Sequence, residues 1–272
     1  MGKREAHLRD LENLLDQFVK TGSERELVDY LTSNSKLPGR RANLELAGAF
    51  PDALEKIAQK DSQKCWALCV SMLELTAEEA PVNTPEEFVP FCGAVGIGSM
   101  GSAHPTFYDP AIVMLRGLAK DSRWRMREAV RMGLQKLTET RAHDTLTTME
   151  AWIDEGDWLE MRAVAATVAM PSLLKNEEMA RWALSFHREI FSQVIATQDR
   201  RSEPFRVMRK ALGYTLSVVV SALPHEGFQF MAQQIESQDK DVKWILRENL
   251  KKKRLVKNYP DEVAKIKNLL EL

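Results

Sequence analysis

One eight-residue pattern occurs twice in the chain and constrains the fold more than any other feature of the sequence. DSRWRMREAV, which begins at Asp121, and DVKWILRENL, which begins at Asp241, both read Asp-x-x-Trp-x-(Met/Leu)-Arg-Glu. Weaker copies lie around Arg162 and Arg209, and a degenerate copy begins at Asp61. From the first copy to the last, the motif arginines recur at intervals of 35, 47 and 38 residues. Repeats of this length typically consist of paired helices that lie side by side.

Helical spacing of apolar residues dominates the rest of the sequence. The N-terminal segment KREAHLRDLENLLDQFVK has apolar residues at helical intervals, namely Leu8, Leu11, Leu14, Leu15 and Phe18. Ser23–Glu26 has the Ser-x-x-Glu capping-box pattern of a helix start, and Pro110 and Pro260 stand where a first helical turn tolerates proline. The β-branched run 216–223 continues a helical pattern, and alternating strand patterns are nearly absent. The sequence therefore predicts an all-α protein.

The spacing of Asp and Arg in the motif resembles that of HEAT (armadillo-like) repeats. In DSRWRMR and DVKWILR an Asp is followed six residues later by an Arg, as at the start of the second helix of a HEAT repeat. LPGRRANLEL, RKALGYTLSVVVS and WILRENLKKKRL are also similar to segments of uncharacterised bacterial HEAT-repeat proteins. The resemblance implies a right-handed α-solenoid of helix pairs over residues 50–257, capped by helices in 1–49 and 258–272. An acidic Gly/Pro-rich insertion is expected at about 81–110.

In HEAT repeats the Asp and Arg of successive units usually form a ladder of hydrogen-bonded pairs. The residues that the resemblance assigns to this structural ladder are Asp121, Arg127, Arg162, Arg209, Asp241 and Arg247. The ladder is expected to break where Ala67, Gly156 and Glu203 take its positions. If Arg127 is paired in the interior, its replacement by Ala costs about 1–3 kcal/mol, whereas Arg125→Ala is expected to cost little.

A second interpretation gives the basic and aromatic residues a ligand-binding role, since arginine beside tryptophan can hold a phosphate and stack on a base. The residues predicted to bind an anion or a nucleic acid are Arg123, Arg125, Arg131, Lys240, Lys243, Lys251, Lys252, Trp124 and Trp244. Between residues 240 and 257, in one predicted helix, eight basic residues stand against two acidic ones. The alternative is that both tryptophans fill seams between repeats and that KKKRL is a solvated helix end.

Two further patterns point away from cofactor and metal chemistry, and neither a cofactor nor a metal is expected. Gly96, Gly98 and Gly101 match G-x-G-x-x-G, but no strand precedes them, so a short helix and loop in the insertion is favoured over a dinucleotide site. Cys65 and Cys69 share a helix face without a second ligand pair, so burial is favoured over metal binding. The stretch between Cys65 and Leu115 contains six acidic residues and no Lys or Arg. This acidic stretch either screens the basic face or contacts a basic partner.

These patterns leave two classes of function open. The first is an interaction scaffold without chemistry that binds a protein or peptide through its concave surface. The second is DNA binding or alkylation repair, because the HEAT-like fold is shared with helical-repeat alkylpurine DNA glycosylases. In that role Asp121 and Asp157 are the candidate catalytic carboxylates, and the available aromatic residues are Trp124, Trp158 and Trp244. The net charge of −1 counts against a dedicated DNA-binding protein.

The cysteine count and the hydropathy pattern constrain the expected environment. Three cysteines and a charged N-terminus without a signal-peptide pattern predict a reducing, cytoplasmic location. No apolar run approaches the roughly 18–20 residues that span a bilayer, so no membrane partner is expected.

Overall fold

The computed structural model of this protein describes residues 2–271, and this part of the chain is helical. Its α-helices are α1 (Lys3–Thr21), α2 (Arg25–Ser33), α3 (Leu44–Ala58), α4 (Ser62–Leu73), α5 (Phe88–Ala103), α6 (Tyr108–Leu118), α7 (Trp124–Thr140), α8 (Ala142–Glu155), α9 (Trp158–Val168), α10 (Glu177–Ala196), α11 (Glu203–Ala222), α12 (Pro224–Ile235), α13 (Lys240–Asn249), α14 (Lys253–Asn258) and α15 (Pro260–Glu271). Single 3-10 turns lie at Pro85–Glu87, Pro105–Phe107 and Leu173–Lys175. No strand occurs between residues 2 and 271, which confirms the all-α prediction.

Two of the three helix starts predicted from local sequence are found in the structure. Pro110 lies in the first turn of α6 and Pro260 is the first residue of α15, as predicted. The capping box predicted at Ser23–Glu26 is wrong, because α2 follows Glu24, which makes no side-chain cap. Glu24 already has near-helical angles (φ −88°, ψ −7°), whereas a capping side chain needs an extended residue at this position.

The helices form two compact units, which are divided between Thr145 and Leu146 in α8. In unit 1, α1 packs on α3, α3 on α5 and α5 on α7, while α4 and α6 each contact the two row helices that flank them in sequence. In unit 2, α9 packs on α11 and α11 on α13, while α10 and α12 lie beside this row. Each row therefore consists of helices that are second neighbours along the chain.

The centre of unit 1 is α5, whose residues from Phe88 to Gly101 are all buried. The helix has no charged side chain and is apolar all round, as expected of a helix covered on every side. A Cβ on Gly98 would lie 2.3 Å from the Cα of Gly133, so the backbones of α5 and α7 meet at these glycines. The prediction of a short helix and loop is therefore wrong. The glycines lie in a 16-residue helix and allow neighbouring helices to pack closely against it. Within residues 2–271, neither α5 nor any other helix is long and apolar enough to cross a membrane.

His187 of α10 is fully buried in unit 2. Its Nδ1 lies 2.7 Å from the carbonyl oxygen of Ala183, and its Nε2 lies 2.9 Å from Oγ1 of Thr215 on α11. Because a carbonyl only accepts, Nδ1 carries the proton and Nε2 accepts from the threonine hydroxyl. The neutral imidazole satisfies both contacts, and burial lowers the pKa of His187 to about 4.

The close contact of α5 and α7 predicts that Gly98→Ala destabilises unit 1 by about 1–3 kcal/mol, because the new methyl group meets backbone that cannot move aside. Gly48→Ala in α3 is the matched control, since a Cβ there meets nothing within 4 Å and alanine favours a helix by about 0.5–1 kcal/mol. Urea unfolding of both variants measures the difference. A Gly98→Ala protein as stable as the Gly48→Ala protein contradicts the proposed helix contact.

The environment of His187 predicts a loss of stability in acid. Between pH 6.5 and about 4, the unfolded chain binds a proton at this histidine and the folded chain does not, so the free energy of unfolding decreases as the pH falls. At about 1.4 kcal/mol per pKa unit, the full loss is about 3 kcal/mol. Urea unfolding over this pH range should show a shallower dependence for His187→Gln than for the wild type. The control is His225→Gln, at an exposed position of unit 2; an equal effect of both variants contradicts the assignment.

Candidate functional site

A pocket of about 310 Å³ lies in unit 1, where α5, α7 and the start of α3 with its preceding segment meet. Its lining combines arginines, a carboxylate, a tryptophan and apolar side chains, namely Arg40, Arg41, Ala42, Leu44, Phe91, Trp124, Arg125, Glu128, Arg131 and Met132. Three of the residues predicted to bind an anion, Trp124, Arg125 and Arg131, are thus brought together. We call this site the arginine–tryptophan pocket.

Arg125 is only 3% exposed, although the sequence placed it on the surface. Its Nη1 donates to Oε2 of Glu87 at 2.8 Å, in an ion pair that is shielded from solvent. Its Nη2 donates to the carbonyl oxygen of Gly39 at 2.8 Å and to Oδ1 of Asn83 at 3.1 Å. The expectation that Arg125 is exposed is therefore wrong, because the acidic stretch supplies a carboxylate that pairs with it inside the fold. The expected small cost of Arg125→Ala, which depended on that exposure, loses its basis.

Asn83 joins the two segments that Arg125 contacts. Its side-chain Oδ1 accepts from the main-chain amide of Gly39 at 2.9 Å, and its main-chain amide donates to Oε2 of Glu87 at 2.7 Å. Its backbone has φ of +69°, in the left-handed region that asparagine tolerates better than most residues. This network holds the segment with Arg40 and Arg41 next to α7.

Arg123 is also buried, contrary to the prediction that it is free to bind a ligand. Its Nε and Nη2 donate to the carboxylate of Asp121 at 3.0 and 2.7 Å. Its Nη1 donates to the carbonyl oxygens of Leu75, Thr76 and Ala80 at 3.1–3.3 Å. Arg123 therefore fixes the acidic stretch on the start of α7 through three main-chain oxygens that follow the end of α4.

The positive charge of the pocket that no acid neutralises comes from Arg40 and Arg41. Both are exposed, and neither has an ion-pair partner among residues 2–271. Arg125 is neutralised by Glu87, and Nε of Arg131 lies 3.1 Å from Oε2 of Glu128. Oε1 of Glu87 and Nε of Arg125 are buried without a hydrogen-bond partner in the described chain, so the ion pair is incompletely satisfied.

Trp124 supplies the aromatic surface of the pocket. Trp124 is 44% exposed, so much of its side chain is in contact with solvent. The guanidinium carbon of Arg125 lies 4.4 Å from the ring centroid and covers part of the ring. The remaining indole surface is available for contact with a flat or apolar group beside the two unpaired arginines.

One ion pair joins successive motifs in unit 2. Nε of Arg209 on α11 lies 2.9 Å from Oδ1 of Asp241 in the motif of α13, without hydrogen-bond geometry. The guanidinium of Arg209 also lies over the ring of Trp244, 4.1 Å from its centroid. Arg200 donates to the other carboxylate oxygen of Asp241 at 3.0 Å. Trp244, predicted to bind an anion or to fill a seam, thus packs against an arginine that is already neutralised.

The other ladder residues have different contacts. Nη1 of Arg127 donates to the main-chain oxygen of Asp121 at 3.0 Å, and its side chain is buried. Arg162 lies half-buried in α9. Arg247 is exposed, and its Nη2 donates to the carbonyl oxygen of Leu270 at 3.4 Å. A ladder through all six positions stays a prediction.

The basic segment 240–257 is divided between two helices, so the predicted single helix is wrong. α13 ends at Asn249 and α14 begins at Lys253, which places KKKRL at the break. Leu250 and Leu255 are both fully buried. On a continuous helix, two side chains five residues apart would point about 140° away from each other. The break between α13 and α14 allows both leucines to reach the core.

The four lysines predicted to bind an anion lie on unit 2. Lys240 and Lys251 are exposed, and Lys243 and Lys252 are half-buried. Lys251 forms an ion pair with Glu248 at 2.5 Å. The role of these lysines in binding stays a prediction.

The two candidate catalytic carboxylates have local structural contacts. Oδ1 of Asp157 accepts from the amides of Leu159 and Glu160 at 2.8 and 3.1 Å and caps α9. The carboxylate of Asp121 accepts from Arg123. Each contact explains why an aspartate stands at its position without reference to a reaction.

The cysteines of the described chain are buried and form no disulfide. Burial raises the pKa of the Cys65 thiol to about 11 and the pKa of Cys92 well above its usual value, so the thiols stay protonated. This confirms the predicted burial of Cys65 and Cys69. Within residues 2–271, no group of three or more His, Cys, Asp or Glu side chains is placed to hold a metal ion.

Sequence reasoning missed the part of the pocket that precedes α7. Arg40 and Arg41 stand in LPGRRANLEL, and Phe91 stands in the apolar helix α5. The consecutive arginines after Pro-Gly are a signal for an exposed basic turn, but nothing local indicates that this turn lies beside Trp124. No protein-family model, curated protein or solved structure matches this chain.

The buried ion pair predicts that Arg125→Ala destabilises the protein by about 3–5 kcal/mol, because it leaves the carboxylate of Glu87 buried without its partner. Arg131→Ala is the matched control, since Arg131 is partly exposed on the same helix and should cost about 1 kcal/mol or less. The double variant Arg125→Met/Glu87→Leu should recover part of the loss by removing both charges. Equal unfolding midpoints for Arg125→Ala and Arg131→Ala contradict this account.

Proposed function

We propose that this protein is a non-enzymatic interaction scaffold, a right-handed α-solenoid of HEAT-like helix pairs that binds a protein or peptide partner. The contacts between second-neighbour helices in both units support this arrangement, because helix pairs that lie side by side place equivalent helices in one row. The repeated Asp-x-x-Trp-x-(Met/Leu)-Arg-Glu motif at the start of α7 and α13 supports it from the sequence.

The arginine–tryptophan pocket is the surface that we assign to the partner. The observation that carries the proposal is the placement of Arg40 and Arg41, exposed and without ion-pair partners in residues 2–271, beside the half-exposed ring of Trp124. Arginines bind carboxylates and phosphates through charge-assisted hydrogen bonds, and buried aromatic and arginine contacts dominate the affinity of many interfaces.

The remaining lining residues of the pocket favour a ligand that carries an apolar group next to its negative charge. Leu44, Ala42 and Met132 contribute apolar walls, and Leu44 is strongly exposed. A volume of about 310 Å³ is at the lower end of the range for ligand pockets, roughly 300–1,000 Å³, and accommodates one or two side chains. The partner that fits is therefore an acidic segment with an apolar or aromatic side chain beside its carboxylates.

The proposal is tested by fluorescence anisotropy with a labelled short peptide in which one Phe or Leu is flanked by Glu residues. We expect Arg40→Glu/Arg41→Glu to weaken binding about tenfold or more, which corresponds to about 1.4 kcal/mol. Trp124→Ala should weaken binding of the Phe peptide, because the indole no longer packs against the phenyl ring. A peptide with Lys in place of Glu should not bind.

The matched control is Lys3→Glu/Arg25→Glu, which reverses two exposed charges elsewhere in unit 1 and should leave peptide binding unchanged. Far-ultraviolet circular dichroism shows whether each variant keeps its helix content. Equal affinity of the wild type and the Arg40→Glu/Arg41→Glu variant, or equal binding of the Glu and Lys peptides, would rule out the proposed partner class.

A further inference from the structure

A second aromatic side chain lies among unpaired cations, on unit 2. Tyr214 of α11 is 49% exposed. The guanidinium carbon of Arg254 lies 4.8 Å from its ring centroid, and Nη2 of Arg254 donates to the tyrosine hydroxyl at 2.9 Å. Nζ of Lys252 lies 5.8 Å from the same centroid. The break between α13 and α14 therefore places a tyrosine and two cations together at the surface.

The exposed side of α11 extends this positive charge along the helix. Arg206 and Lys210 precede Tyr214 at intervals of four residues, which places the three on one side of the helix. Arg206 and Lys210 are exposed, and neither has an ion-pair partner among the described residues. The row is about 12 Å long from the first Cα to the last, at 1.5 Å per residue.

The chain after α13 adds more positive charge and little that neutralises it. Lys253 and Lys257 are exposed and unpaired in the part of the chain that the structure describes. Of the neighbouring charges, Glu248 of α13 is engaged by Lys251. The stretch that follows Glu248 carries no acid until Asp261, so this stretch supplies no carboxylate for its own cations.

We propose that this surface, defined by Arg206, Lys210, Tyr214, Lys252 and Arg254, binds single-stranded nucleic acid. An exposed ring flanked by cations is the arrangement on which an unpaired base stacks while its phosphates meet lysine and arginine. The guanidinium of Arg254 lies over the tyrosine ring, so a base can stack on the ring face that Arg254 leaves uncovered or on the guanidinium plane itself. Bases in a duplex are already stacked on each other, so Tyr214 selects for a single strand. This site is independent of the peptide site proposed for unit 1.

The test is fluorescence anisotropy of the full-length protein with a labelled thymine oligonucleotide over a salt series. Tyr214→Ala should weaken binding about tenfold, because stacking on one aromatic ring stabilises a bound base to about that extent. Tyr214→Phe, which keeps the ring, should bind nearly as well as the wild type. Arg206→Glu/Lys210→Glu should weaken binding and flatten the salt dependence, by about 0.7 in slope for each phosphate that the variant no longer neutralises.

The control for charge is again Lys3→Glu/Arg25→Glu, which gives the same change of net charge in unit 1. The proposal is supported if the Tyr214→Ala and Arg206→Glu/Lys210→Glu variants lose binding and the Lys3→Glu/Arg25→Glu control does not. Equal affinity of Tyr214→Ala and the wild type would overturn it, and so would binding of the duplex form as tightly as the single strand. A salt-sensitive loss in the charge-reversed variant together with full binding by Tyr214→Ala would also overturn it, because the surface would then attract any polyanion.

Discussion

In the interior of unit 1, the carboxylate of Glu87 and the guanidinium of Arg125 meet at 2.8 Å, away from solvent. A buried charge is tolerated only where an opposite charge and hydrogen bonds replace its hydration. Asn83 and the main chain of Gly39 supply those hydrogen bonds. This requirement holds the segments around Gly39 and Asn83 against α7, and the first of these segments carries Arg40 and Arg41. The geometry of the candidate site therefore follows from the need to neutralise Arg125.

Helical periodicity alone predicted the all-α fold. On α7 the same spacing places Met126, Val130 and Leu137 on one face, and all three are fully buried. These features depend on residues a few positions apart, which share a helix face. The burial of Arg125 depends instead on partners 38 and 86 residues away. Spacing along one helix carries no information about such distant partners, so the sequence placed Arg125 among the residues that could bind a ligand at the surface.

The glycines of α5 illustrate the same limit. A run of glycines indicates either a loop or a helix that others approach closely, and the sequence of the run does not distinguish them. The choice is determined by Gly133, on a different helix, because two glycines in register allow their backbones to touch. The break after α13 has a comparable origin, since both Leu250 and Leu255 must reach the core of unit 2. In both cases the deciding contact is tertiary.

Within residues 2–271 an arginine lies over an aromatic ring at no fewer than six places, and the position of an acid distinguishes three of them. Arg125 and Arg209 stack on tryptophans, and each is neutralised by a carboxylate, Glu87 or Asp241. Arg254 stacks on a tyrosine and has no ion-pair partner among residues 2–271. The charges of Arg125 and Arg209 are therefore neutralised within the fold, whereas Arg254 keeps a charge that an external anion can neutralise. We therefore assign the proposed binding surfaces to the cations that the fold leaves unpaired, whereas the neutralised Arg125 and Arg209 contribute to packing.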